Sequence, residues 1–209
     1  MRSTTYETDS EVDRQRNPWK GLAAGLIGGL VASWTMNQFQ AAWSATDDSK
    51  SLERAQKRKK IAQSSAGSSK HQSDQPNAQA EQQSESHNER ADDTTVKVAS
   101  AISEGVFDHK LTKREKKIAG PAVHYVFGSL MGGLYGVTVE LKPKANAGRG
   151  ILFGTALWLV ADEGAVPLLG FSKSPAEYPL STHVYALVSH FVYGLATESV
   201  RRLVRKSLR

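Results

Sequence analysis

The stretch whose reading decides the fold runs from Leu157 to Gly170, "LWLVADEGAVPLLG", where two adjacent carboxylates, Asp162 and Glu163, interrupt an otherwise apolar sequence. In a water-soluble core, neighbouring acids would divide between two faces and one would reach solvent. In hydrocarbon neither has that escape, because a charged side chain at the bilayer centre costs about 3 kcal/mol on insertion scales. The fold therefore turns on which solvent surrounds this segment.

Working outward, the chain of 209 residues carries a net charge of +6 and a mean hydropathy of -0.43. That average joins two unlike parts. Residues 47–117 are almost wholly polar, whereas four long uncharged runs lie outside them: 21–46, 118–139, 150–172 (broken only by the acidic pair) and 178–197. Each is close to the roughly 20 residues that an α-helix needs to cross a bilayer core. A soluble four-helix bundle would show a charged residue at every third or fourth position, and these runs do not. The sequence thus predicts an all-α membrane protein with four transmembrane helices. Absence of cysteine excludes disulfides and thiolate metal sites.

Flanking charge sets the orientation, since cytoplasmic loops are enriched in Lys and Arg. Arg14, Arg16 and Lys20 precede the first span; Lys142, Lys144 and Arg149 join the second to the third; Arg201, Arg202, Arg205, Lys206 and Arg209 follow the fourth. The 173–177 loop has only Lys173. The expected order is a cytoplasmic tail (1–20), a span (21–43), a long disordered polar loop (44–93) and an amphipathic interfacial helix (94–117). Spans at 118–141, 150–171 and 178–200 follow, then a basic cytoplasmic tail (201–209). Val98, Ile102 and Val106, with Phe107 beside them, recur at helical spacing and would form the apolar face of the interfacial helix, for which a solvated linker helix is the alternative. The basic head, apolar run and "AWSA" of the first span also imitate a cleavable secretory signal, although the polar "NQFQ" argues against it.

Two motif sets follow. Gly21, Gly25 and Gly29 in the first span and Gly128, Gly132 and Gly136 in the second recur every four residues, forming flat strips that let helix backbones approach, within one bundle or between copies of the chain. Five ionisable residues fall inside spans: His124, Asp162, Glu163, His183 and His190. A helix rise of about 1.5 Å per residue puts them in one band toward the outer side, so they should turn inward and pair. Successive helix positions are about 100° apart, so one acid should face span four, near His190 or His183, and the other span two or water. Pro167 leaves the carbonyl of Glu163 without its usual donor and should loosen the helix there. The cluster suits interhelical hydrogen bonding or proton handling; a zinc site from His124, His183 and an acid lacks diagnostic spacing.

The segments "AVHYVFGSLMGGLYGVTVELKPK", "VPLLGFSKSPAEYPLS" and "SHFVYGLATESVRR" resemble the YagU-like bacterial inner-membrane proteins, a domain of unknown function whose label mentions acid resistance. The resemblance covers the last three spans well and the first loosely. It implies an inner-membrane location and matches His124, the turn from Pro167 to Gly170, His190, Glu198, Arg201 and Arg202 to the family pattern. At Asp162 family members can carry histidine, so a carboxylate there is not a family requirement. The resulting expectation is a multi-pass inner-membrane protein with both termini cytoplasmic, non-enzymatic, without cofactor or metal and not bound to nucleic acid. Its expected role lies in envelope or acid-stress resistance, with a proton-linked carrier or channel as the alternative. Its expected partners are the bilayer, a second copy of itself, and anionic lipids at the basic C-terminal tail.

Overall fold

A computed structural model describes residues 17–65 and 81–208. The described chain is helical, with no strand. Its elements are α1 (Pro18–Ser65), α2 (Glu81–Phe107), α3 (Lys113–Leu141), α4 (Ile151–Leu157), a π-helical segment (Trp158–Ala165), α5 (Val166–Leu168) and α6 (Leu180–Ser207). Tight turns at Pro143–Gly150 and Pro175–Glu177 supply the connections.

Helix boundaries differ from expectation in three places. The polar loop expected over 44–93 is helical at both ends, because α1 runs on to Ser65 and α2 begins at Glu81; residues 66–80 lie outside the described part. The segment after Trp43 is rich in Ala, Glu, Gln, Lys and Arg, all strong helix formers, so it propagates a helix that the apolar segment before it has already nucleated. The interfacial helix expected over 94–117 stops at Phe107, and residues from Lys113 belong to α3. The break is local chemistry. Asp108 takes a left-handed backbone (φ 49°), and Thr112 caps α3 in a reciprocal box with Glu115. The Thr112 backbone N–H and hydroxyl, with His109, hold the Glu115 carboxyl below the usual carboxylate range. Finally, the tail expected over 201–209 is helical to Ser207.

α1 packs against α3 and α6, α2 against α3, and α4 against α6. In α2 the buried positions are Ala99 and Ser103, whereas Ile102, Val106 and Phe107 point outward. Val96 meets Gly120 of α3 and Val98 lines the cavity, whereas Ile102, Val106 and Phe107 of the expected apolar face are left on the outside.

The glycines set the helix spacing. Gly21 abuts Gly136, Gly25 abuts Gly132 and Gly29 abuts Gly128, an antiparallel register in which a methyl group on Gly132 would lie 2.5 Å from the Gly25 carbonyl oxygen. A second contact of the same type joins Gly150 and Gly154 to α6 at Gly194 and His190. Gly150 also takes φ 93°, which closes the turn into α4, so no side chain fits there on either count.

Polarity is inverted relative to a water-soluble bundle. The largest fully buried side chains are Glu198, Thr197, Ser33 and Ser189. Exposed instead are Leu30 and Trp34 on α1, Leu130 and Leu134 on α3, Leu159 and Val160 on the π segment, and Val184 and Leu195 on α6. Two stretches, Lys113–Leu141 and Pro143–Leu168, are long and apolar enough to cross a membrane; α1 and α6 do not meet that measure, so two of the four expected spans stand on it. The turn at 147–150 breaks the second stretch, leaving residues 151–168 as its continuous part.

Candidate functional site: a polar cavity at one end of the bundle

A cavity of about 430 Å³ opens where the Ser33–Gln40 part of α1, the N-terminal halves of α3 and α6, and the π segment meet, with α2 along its edge. His124, Asp162, Glu163 and His190 line it, along with Ser33 and Asn37. His183 stands just behind Glu163. All five ionisable span residues thus gather at the end remote from the 142–150 loop.

The backbone explains how neighbouring acids can share one partner helix. Val166 donates its N–H to the Ala161 carbonyl, five residues back, and the whole stretch Trp158–Ala165 has this wider π winding. Phe171 repeats the spacing by donating to Val166. Pro167 contributes no N–H, so the chain upstream takes the longer-range bonds. One acid was expected to face away from span four, but both turn to α6. Glu163 Oε1 lies 2.8 Å from His183 Nδ1, and Asp162 Oδ2 lies 3.7 Å from His190 Nδ1. The 100° step behind the expectation belongs to an α-helix, which this stretch is not. Side chains on antiparallel helices lean toward their own N-termini, which lets Asp162 and His190 reach one another across the groove.

His183 Nδ1 meets the Glu163 carboxylate and its Nε2 lies 3.1 Å from the Pro175 carbonyl oxygen, an acceptor only. Both bonds form when the pair holds one proton beyond a neutral imidazole and an ionised carboxylate: as imidazolium with carboxylate, or as neutral imidazole with carboxylic acid. His190 instead donates Nδ1–H to the Ala186 carbonyl at 2.9 Å. His124 lies edge-on to Tyr125, with ring centres 5.8 Å apart. It lines the same cavity. Among the described residues no group of three metal-type ligands assembles, so His124, His183 and the acids do not converge on one point.

The opposite end of the bundle is closed by charge. Arg201 donates Nε–H and an Nη–H to Glu198 at 2.7 and 3.0 Å, Arg202 also donates to Glu198, and Arg205 Nε–H reaches Glu140 at 2.6 Å. The Asn17 backbone N–H adds a bond to Glu140 at 3.2 Å. Glu198 and Arg201 are buried. The sequence reading placed Arg201 and Arg205 in a lipid-facing tail, but they are engaged inside the protein. For Glu198 and Arg201 the sequence offered their i, i+3 spacing and their place in the family pattern; Glu140 and Arg205, on different helices, gave no signal.

Residues 96–199 match the family described as Protein of unknown function (DUF1440). No curated protein and no solved structure matches the chain. The matched region runs from α2 to Glu198 and its neighbour in α6. It contains all five cavity-end ionisable residues, whereas α1, which supplies Ser33, Asn37 and one side of the glycine contact, lies outside it.

Proposed function

We propose that this is a non-enzymatic, four-span protein of the bacterial inner membrane whose outer cavity takes up and releases a proton, serving envelope or acid-stress resistance. The observation that carries the reading is His183, held between the Glu163 carboxylate and the Pro175 carbonyl in an arrangement completed by one proton. Four spans are supported by the large apolar side chains displayed outward on α1 and α6 as well as on the two strongly apolar stretches, with polar groups turned inward. The basic flanks support cytoplasmic termini, and the half-exposed Arg202 together with Lys206 is placed to meet anionic headgroups. The link to acid stress rests on the resemblance to YagU-like proteins.

Glu163→Gln tests the proton assignment. A glutamine amide can donate to His183 Nδ1, so the neutral imidazole satisfies both of its bonds without the added proton. The variant should fold as wild type and bind one proton fewer on acidification of the purified protein, and it should not restore acid survival to a strain lacking the protein. Equal proton uptake and full survival would sink the assignment. The carrier reading is favoured by one feature, a cavity open at one end and closed by ion pairs at the other. Proton flux in liposomes under an imposed gradient separates the two: a carrier sustains it, a proton-holding site does not.

A further inference from the structure

We infer that the loop at 172–178 is a lid over the Glu163–His183 pair, latched shut by the proton that the pair takes up and released when that proton leaves. This concerns the regulation of the same site and rests on the proposed protonation of the pair.

The latch is one imidazole between two acceptors. His183, on α6, reaches the Glu163 carboxylate at 2.8 Å with Nδ1 and the Pro175 carbonyl oxygen at 3.1 Å with Nε2, so it joins the π segment to the middle of the loop. While the pair holds its added proton, both contacts are hydrogen bonds. Once that proton leaves, one ring hydrogen remains for two sites. On Nδ1 it keeps the charge-assisted bond to the carboxylate, roughly twice as strong as a neutral one. On Nε2 it would leave a ring lone pair facing an anion at 2.8 Å. The hydrogen therefore stays on Nδ1, the Nε2 lone pair opposes the Pro175 carbonyl, and the attraction between α6 and the loop becomes a repulsion. Other titratable groups surround the pair: Asp162 and His190, 3.7 Å apart, and in the cavity wall His124 of α3 with the Tyr185 and Tyr193 phenols of α6. The described lining residues of α1 and α2 do not titrate. These neighbours shift the pH at which the pair changes state, but not which of its two bonds is lost.

The loop has the construction of a lid. Its own ionisable side chains, Lys173, Glu177 and Tyr178, sit in a framework of internal bonds. The Ser174 N–H donates to the Glu177 carboxylate at 3.2 Å, the Lys173 N–H to the Tyr178 hydroxyl at 3.3 Å, and the Tyr178 N–H to the Pro175 carbonyl at 3.1 Å. Such bonds travel with the loop, so it can swing as one unit. Its two ends are fixed. Gly170, at φ 77°, ends the preceding helix in a cap where the Gly170 and Phe171 N–H groups donate to Pro167 and Val166, and Phe171 is thereby held in the cavity wall. At the other end Pro179 starts α6. Between these posts the loop lies against His183, and the pair beneath it is mostly shielded, His183 at 20% and Glu163 at 13% exposure. A released lid opens the pair to outside water, from which it can regain a proton; the regained proton closes the lid and leaves Glu163 facing the cavity that it lines.

The test places one nitroxide spin label on the loop of the full chain in lipid nanodiscs, through Ala176→Cys, an exposed position in a protein that has no other cysteine. Its mobility is compared at about pH 5 and about pH 8, the interval across which histidine ordinarily changes charge. The ratio of mobile to immobile label should rise about tenfold at the higher pH, the worth of one hydrogen bond. In Glu163→Gln the amide donates to Nδ1 and leaves the ring hydrogen on Nε2 for Pro175, so the label should stay immobile at both pH values. In His183→Leu it should be mobile at both. A wild-type label that does not respond to pH, or a wild-type response that persists in either variant, would overturn the inference; if Glu163→Gln does not fold, wild type and His183→Leu decide. Proton uptake that depends on Glu163 beside a label that never moves sinks the latch alone, whereas uptake that does not depend on Glu163 sinks the proton-holding reading as well.

Discussion

Glu198 is a buried carboxylate whose neighbours are two arginines from its own helix, and its cost is set by what remains when one of them is removed. Arg201→Met should lower stability by about 3–5 kcal/mol, toward the smaller figure because the half-exposed Arg202 still reaches the acid. Replacing both Glu198 and Arg201 by Met should recover most of that loss, since an apolar pair leaves no buried charge uncompensated. Thermal unfolding in detergent measures both; a double variant no more stable than Arg201→Met would show that the ion pair itself, rather than the avoided orphan charge, holds this end together. At the same scale, the inward turn of Asp162 and Glu163 was legible from the cost of charge in lipid. Their common partner helix was not, because it depends on π winding, and side-chain spacing alone presumes an α-helix.

At the level of elements, the backbone of Gly132 makes contact where other residues place a side chain. A Cβ there meets Gly25 carbonyl oxygen, Gly29 Cα and Gly29 N, all backbone atoms that cannot move without moving α1. Gly132→Leu should therefore separate α1 from α3 and destabilise the protein by about 1–3 kcal/mol or more, with a lower yield of folded protein. Gly105 in α2 is the control, since a Cβ there meets nothing within 4 Å. Gly105→Ala should leave the melting temperature unchanged or raise it by the equivalent of about 0.5–1 kcal/mol. A Gly132→Leu protein as stable as wild type would remove the close packing from the account. The four-residue glycine period was open to reading because it requires only helical geometry; that the two strips face one another was not, since the same pattern would serve two copies of the chain. The course of α1 past Trp43 was misread for a comparable reason. Its polar half lacks an apolar face, but a nucleated helix of good helix formers does not need one.

For the molecule as a whole, the two ends of the bundle are unlike, and this follows from how the antiparallel helices distribute charge. One end collects Glu198, Arg201, Glu140 and Arg205 into bonded pairs, and the other collects the histidines and the acidic pair around open space. On the topology proposed from the basic flanks, the closed end lies at the cytoplasmic face. A reporter active only outside the cytoplasm should then be silent at Arg209 and active at Gln75. The chain has no cysteine, so single cysteines report access directly. Ala161→Cys, in the cavity wall, should react in intact cells with a maleimide that does not cross membranes. Ala147→Cys, in the exposed loop at the closed end, should react only after the membrane is opened. In inverted vesicles the order should reverse, because the ion pairs block passage from the cytoplasmic face to the cavity. If Ala161→Cys reacts from both faces, the closed end is not a seal and a continuous pathway crosses the bundle; if both cysteines react from the same face, the topology itself is wrong.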